Sequence, residues 1–121
     1  MTSTATGFDL SALRRGLEQR DINALLGLYA DNAEVVEVSK TSPPSSPAVL
    51  RGKEEIRRHF TDVCGREMTH KLERVVVDGR NASFTEACRY PDGTAVLCTA
   101  MLDLDSEGKI TRQIAVTAWD E

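Results

Sequence analysis

Glu37, His59 and His70 are the side chains of this chain best placed for proton transfer, and the two histidines are the only ones among its 121 residues. Glu37 shares one face of a short valine-rich run, Ala33 to Val38, with Ala33 and Val35, by the period of two that a strand imposes. His59 falls with Ile56, Phe60 and Val63 on the apolar stripe of a helical segment running from Lys53 to Cys64. His70 opens the first of four β-rich runs, near the expected mouth of an enclosure. A carboxylate beside an imidazole in apolar surroundings can exchange protons with a bound molecule near neutral pH. The expected roles are therefore proton exchange by Glu37 and His70, with His59 orienting the ligand. Each residue also has a plainer reading: His59 as a space-filling core histidine bonded to a carbonyl, His70 as a half-exposed turn neighbour, Glu37 as a glutamate reaching water.

Around these three, alternation points Thr85, Gln113 and Thr117 inward as polar lining, with Cys98 as a soft wall. Tyr29 and Phe60, on the buried faces of their helices, complete the candidate substrate-binding set. Cys98 is a poor nucleophile on this reading, because no cationic neighbour is evident to lower its pKa. Glu86 and Arg89 alternate onto opposite faces of their strand and cannot pair across it. Tyr90 and Trp119 are expected to cover the core edge or a subunit contact.

The elements that must position these residues follow from spacing. Asp9 can cap a first helix, with Phe8 and Leu13 as a hydrophobic staple and Leu10, Leu13 and Leu17 as its stripe. Asp21 caps a second, in which Ile22, Leu25, Leu26 and Tyr29 fall at i, i+3, i+4, i+7. The Asp31-Asn32 break leads into the first strand. Ser39 to Pro47, rich in Ser and Pro, is an exposed loop and the expected mobile part of the chain. The third helix ends at Gly65. From His70 the period becomes two: runs at His70 to Val77, Ala82 to Tyr90, Thr94 to Leu104 and Ile110 to Trp119 are separated by short turns of Asp-Gly or Gly-containing type, which join antiparallel neighbours. Long twisted strands coil, so the expected fold is α+β: a curved antiparallel sheet wrapped around three N-terminal helices, with a cone-shaped cavity between them. Residues 1–7 read as a frayed tail and 8–121 as a single domain.

This element order, with Leu28-Tyr-Ala-Asp-Asn-Ala33 before the first strand, Arg51-Gly-Lys-Glu-Glu-Ile56 opening the third helix and Gly108-Lys-Ile110 opening the last strand, resembles the nuclear transport factor 2-like superfamily. It is similar in particular to the SnoaL-like and ketosteroid-isomerase-like branches. The resemblance implies the cone-shaped fold from Leu10 to Trp119, and places Glu37 at the position of the isomerases' general base. The isomerases' oxyanion donors correspond here to Leu13 and Ala100, which cannot donate, so steroid isomerisation itself is not implied. Met68-Thr-His70 resembles the histidine-bearing strand start of the dehydratase branch, whose tyrosine and aspartate on the first helix have no match beyond Glu18. Fold in this superfamily does not fix chemistry, which ranges from isomerases and cyclases to proteins that only bind.

With 15 basic and 19 acidic side chains and a formal net charge of −4, neither nucleic acid nor an anionic membrane is an expected partner. Cys64, Cys88 and Cys98, odd in number and without paired metal-ligand spacing, argue against both a disulfide framework and a zinc site, so no metal is expected, and point to a reducing cytoplasm. No phosphate-cradling loop or cofactor motif is present, so no cofactor is expected. Phe84, Leu97, Ile114 and Val116 make the outer sheet face apolar, which points to a homodimer through that face. The expected function is a small-molecule enzyme of lyase or isomerase type acting on a small apolar or partly polar molecule. The alternatives are a non-catalytic binder and a partner-binding module of the same fold.

Overall fold

The computed structural model describes residues 7–120; of the expected tail, residues 1–6 lie outside the described residues. The elements are α1 (Leu10–Glu18), α2 (Ile22–Leu26), β1 (Tyr29–Val38), β2 (Ala48–Arg51), α3 (Gly52–Cys64), β3 (Thr69–Asp78), β4 (Asn81–Arg89), β5 (Ala95–Leu104) and β6 (Ile110–Trp119). Both caps form as their residue types require: Asp9 Oδ1 accepts from the Ala12 amide at 2.9 Å and Asp21 Oδ1 from the Ala24 amide at 3.2 Å. The buried stripe of α1 is Ala12, Leu13, Gly16 and Leu17, whereas Leu10, its first residue, stays 41% exposed. Gly16 is the contact point of the first two helices, since a Cβ there would lie 2.5 Å from Leu25 Cγ.

Tyr29 does not extend α2 as its spacing suggested. The helix ends at Leu26, with the Gly27 amide closing on Asn23 O, and the Ile110 amide donates to Leu28 O at 2.8 Å. Sheet pairing with β6 thus claims the backbone, and Tyr29 becomes the first residue of β1, still buried. β2 is a short edge strand that begins just past the last proline of the Ser39–Pro47 loop, pairing Ala48 to Arg51 with Glu37 to Glu34. Gly52, at φ 83°, then turns the chain from β2 into α3, a conformation that favours glycine.

The sheet runs in the order β2-β1-β6-β5-β4-β3. β3 to β6 form the expected antiparallel meander, while β1 lies parallel to β6. A parallel neighbour needs a long crossover, and the chain from β1 through α3 and the meander supplies one. The register of β4 departs from expectation: Ala82, Phe84, Glu86 and Cys88 are buried, and Thr85 and Ala87 take the other face. Phe84 therefore joins the core and not the outer face. The parity that buries this phenylalanine also buries Glu86, an arrangement that looks unfavourable until its partner on another strand is known.

One core cluster joins the helices to the sheet's inner face, from Ala12 and Leu13 through Ile56 to Ile110 and Ala115. Fully burying a side chain such as Ile56 stabilises by roughly 1.5–3 kcal/mol. β3 carries an irregularity between Leu72 and Arg74, and Glu18 Oε2 accepts the Leu72 amide there at 3.0 Å. Glu18, bonded also to Arg14, thus ties α1 to the sheet and is not a free acid in the interior.

Candidate functional site

Between the helices and the inner face of the sheet lies a cavity of about 490 Å³. Its size falls in the ~300–1,000 Å³ range of small-molecule clefts. Tyr29, Glu37, His59, Phe60, His70, Cys98, Gln113 and Thr117 all line it, and Thr85 does not. Thr85 faces outward because the β4 register is one residue out of phase with the sequence-based assignment. Ser39 to Ser42, from the Ser/Pro loop, form part of the wall near β1.

The ionisable groups pair differently from expectation. His59 Nε2 lies 3.1 Å from Glu37 Oε2, and His70 Nδ1 lies 2.6 Å from Glu86 Oε2. Glu37 and His70 are not paired with each other, and β1 and β3 are separated in the sheet by β6, β5 and β4. From β1 to β4 alone the sheet spans three inter-strand steps of about 4.8 Å each. The cavity therefore holds two histidine–carboxylate pairs on different walls.

α3 and β1 build the first pair. Alternation along β1 buries Ala33 and Val35 and brings Glu37 to the same face, and α3 packs His59 over it. The two side chains are 30% and 26% exposed, open enough for a ligand to reach. Phe60 sits beside them, its ring 5.4 Å from His59 and 5.8 Å from Tyr29. The Tyr29 hydroxyl donates to Gln113 Oε1 at 2.5 Å, and burial, reinforced by the Glu37 carboxylate, pushes the phenol well above its ordinary pKa. Tyr29 is consequently a neutral hydrogen-bonding group and not a base.

β3 and β4 build the second pair. His70 stands opposite Cys88 in the ladder, and Glu86 precedes Cys88 by two residues, so all three project inward together. The His70 and Glu86 side chains are 5% and 9% exposed. Cys88 Sγ lies 3.3 Å from the same His70 nitrogen, and burial together with the Glu86 carboxylate pushes its thiol far above the usual range. His70 Nε2 is buried without a partner among the described residues. Cys98 is likewise held as a thiol: burial first, then Glu86, raise its pKa to about 11, which agrees with its reading as wall and not nucleophile.

Glu86 and Cys88 are the site residues that the sequence did not disclose. Their signal was an inward Glu-x-Cys step on a strand whose parity only Phe84 could fix. Near the second pair, Tyr90 and Trp119 stack at 5.6 Å over Met68, Cys88 and Val96. They cover a core edge, as expected.

Residues 10–113 match the SnoaL-like domain. The chain belongs to the SnoaL-like family. No curated protein matches the sequence. Among solved structures it is similar to a nuclear transport factor 2-like protein of unknown function from Mesorhizobium loti, with a TM-score of 0.78 at 17% identity, covering 97% of this chain and 96% of that one. A candidate polyketide cyclase from Sinorhizobium meliloti is similar at 20% identity and a TM-score of 0.66, over 88% and 91% of the two chains. A candidate ketosteroid isomerase from Kribbella flavida is similar at 15% identity and a TM-score of 0.68, over 92% and 74%. Identities this low carry the nuclear transport factor 2-like fold and not the chemistry. Among the described residues of this SnoaL-like protein, no helix is long and apolar enough to cross a membrane.

Proposed function

We propose that this protein converts a small, mainly apolar molecule by proton transfer at the Glu37–His59 pair, as an isomerase, lyase or cyclase. The observation that carries the reading is a carboxylate 3.1 Å from an imidazole, both partly open, on the wall of a ligand-sized cavity. With His59 Nε2 beside one oxygen of Glu37, the other oxygen is left to take a proton from a bound carbon acid. Gln113 and Thr117 supply polar contacts along the wall, and Phe60, Cys98 and Tyr29 supply apolar surface. The cyclase and isomerase relatives give the reaction class its precedent within the fold.

A generic assay does not require the natural substrate. Enolisable cyclic ketones that fit the cavity are incubated with the protein in D₂O, and deuterium uptake beside the carbonyl is followed by NMR. Exchange that disappears in Glu37→Gln supports proton transfer. Unchanged exchange in Glu37→Gln refutes it.

A second reading, a binder without catalysis, is favoured by Leu13 and Ala100, which are 3% and 0% exposed and offer no donor to an enolate. Saturable binding of a ketone without exchange would decide for it. The homodimer remains part of the proposal: Leu97, Met101 and Val116 on the outer face are 48%, 66% and 51% exposed. A second copy burying this row would appear as a dimer in light scattering, and Met101→Asp should return it to monomer.

A further inference from the structure

We propose that His70, Glu86 and Cys88 form a binding site for a divalent cation of the zinc type, with its open coordination position facing the cavity. Their donor atoms all lie within 4.8 Å of one another, and among the described residues this is the one such triple. An imidazole nitrogen, a carboxylate oxygen and a sulfur suit Zn²⁺ or Co²⁺, whereas the sulfur disfavours the oxygen-seeking Mg²⁺ and Ca²⁺. Three protein donors plus an open position is also the plan of a zinc site that can accept a ligand.

The geometry is close to what coordination requires. Ordinary zinc–ligand lengths in a tetrahedron place nitrogen and sulfur about 3.6 Å apart, and nitrogen and oxygen about 3.4 Å apart. The structure has them at 3.3 Å and 2.6 Å. A cation therefore needs openings of ~0.3 Å and ~0.8 Å, within reach of small side-chain rotations. The short nitrogen–oxygen contact is a hydrogen bond that the cation would replace.

Charge supports the same assignment. A divalent cation balances one carboxylate and one thiolate, and coordination deprotonates a thiol. The bookkeeping of protons closes: the Cys88 proton passes to buffer as the sulfur–metal bond forms. A proton on Nδ1 moves to Nε2, whose position is unpartnered among the described residues. One proton is released per cation. No linear spacing announces these ligands, because the strand pairing of β3 with β4 assembles them.

A cation here would also give the cavity wall an electrophile for a bound carbonyl, which the apolar Leu13 and Ala100 do not offer. That consequence rests on the proposed proton transfer, but the binding site does not. The test is metal binding by the protein without substrate, after stripping with chelator. CoCl₂ titration should give the visible bands of a four-coordinate site and a thiolate-to-cobalt charge-transfer band at one equivalent. ZnCl₂ calorimetry in two buffers of different ionisation heat should report the released proton. Cys88→Ser should lose the charge-transfer band, and His70→Ala should weaken Zn²⁺ binding at least tenfold with the fold retained by circular dichroism. Should those variants not fold, the double variant Cys64→Ser/Cys98→Ser, with Cys88 as its only thiol, decides: its band supports the site, and a missing band overturns it. Absence of stoichiometric Co²⁺ and Zn²⁺ binding by the wild type, or a band that survives Cys88→Ser, also overturns it.

Discussion

Removing the carboxylate that meets His70 probes whether the second pair is a coupled buried unit. In Glu86→Leu the His70 Nδ1 loses its partner at 2.6 Å, and Nε2 has none among the described residues, so the ring is left inside the fold with little but Cys88 Sγ at 3.3 Å. Breaking a buried, charge-assisted pair from one side costs about 3–5 kcal/mol, and the weak sulfur contact places this variant near the lower bound. His70→Leu strands the carboxylate of Glu86, which is 9% exposed, and should cost about as much. The double variant replaces a polar pair with apolar surface of similar bulk and should lie within about 1 kcal/mol of wild type. The cycle then gives a coupling of at least about 5 kcal/mol. Urea unfolding followed by fluorescence of Trp119, the chain's one tryptophan, reads each stability, with chelator present to keep metals out. Single variants that lose under about 1 kcal/mol, or a double variant equal to the sum of the singles, would refute the reasoning.

Alkali should destabilise the fold through its buried thiols. Cys98 has an ordinary pKa of 9.0 and a folded value of about 11, so the unfolded chain sheds its proton first and stability falls as pH rises through that window. Between pH 8 and pH 10 wild type should lose about 1 kcal/mol more than Cys98→Ala; equal losses in urea titrations would count against a buried thiol. Gly16→Ala should destabilise by roughly 1–2 kcal/mol, because a Cβ 2.5 Å from Leu25 Cγ overpacks the α1–α2 contact by more than the helix propensity of alanine recovers. A gain in melting temperature would show that the two helices part freely. Asp21→Ala removes the cap on the Ala24 amide and should cost about 1 kcal/mol, readable by thermal unfolding. Glu18→Ala frees the amide of Leu72 and should cost about 1–2 kcal/mol, with faster hydrogen exchange at Leu72 as its specific mark.

The sequence by itself determined the elements and much of the first pair. Period-two and period-3.6 patterns, two aspartate caps and three short turns are local properties of the chain, so the three helices, the four-strand meander and the inward placement of Glu37, His59 and Gln113 were legible without coordinates. Tertiary structure decided what local signals leave open. Pairing with β6 drew Tyr29 out of helix into strand, since a five-residue helix competes poorly with sheet hydrogen bonds. The parity of β4 depended on Phe84 reaching the core, and it carried Glu86 and Cys88 inward while turning Thr85 out. Which histidine meets which carboxylate was set by strand order, because β1 and β3 lie at separate parts of one sheet. Alternation assigns a side chain to a face, but only the fold brings two faces together, and it is there that Glu37 finds His59 and Glu86 finds His70.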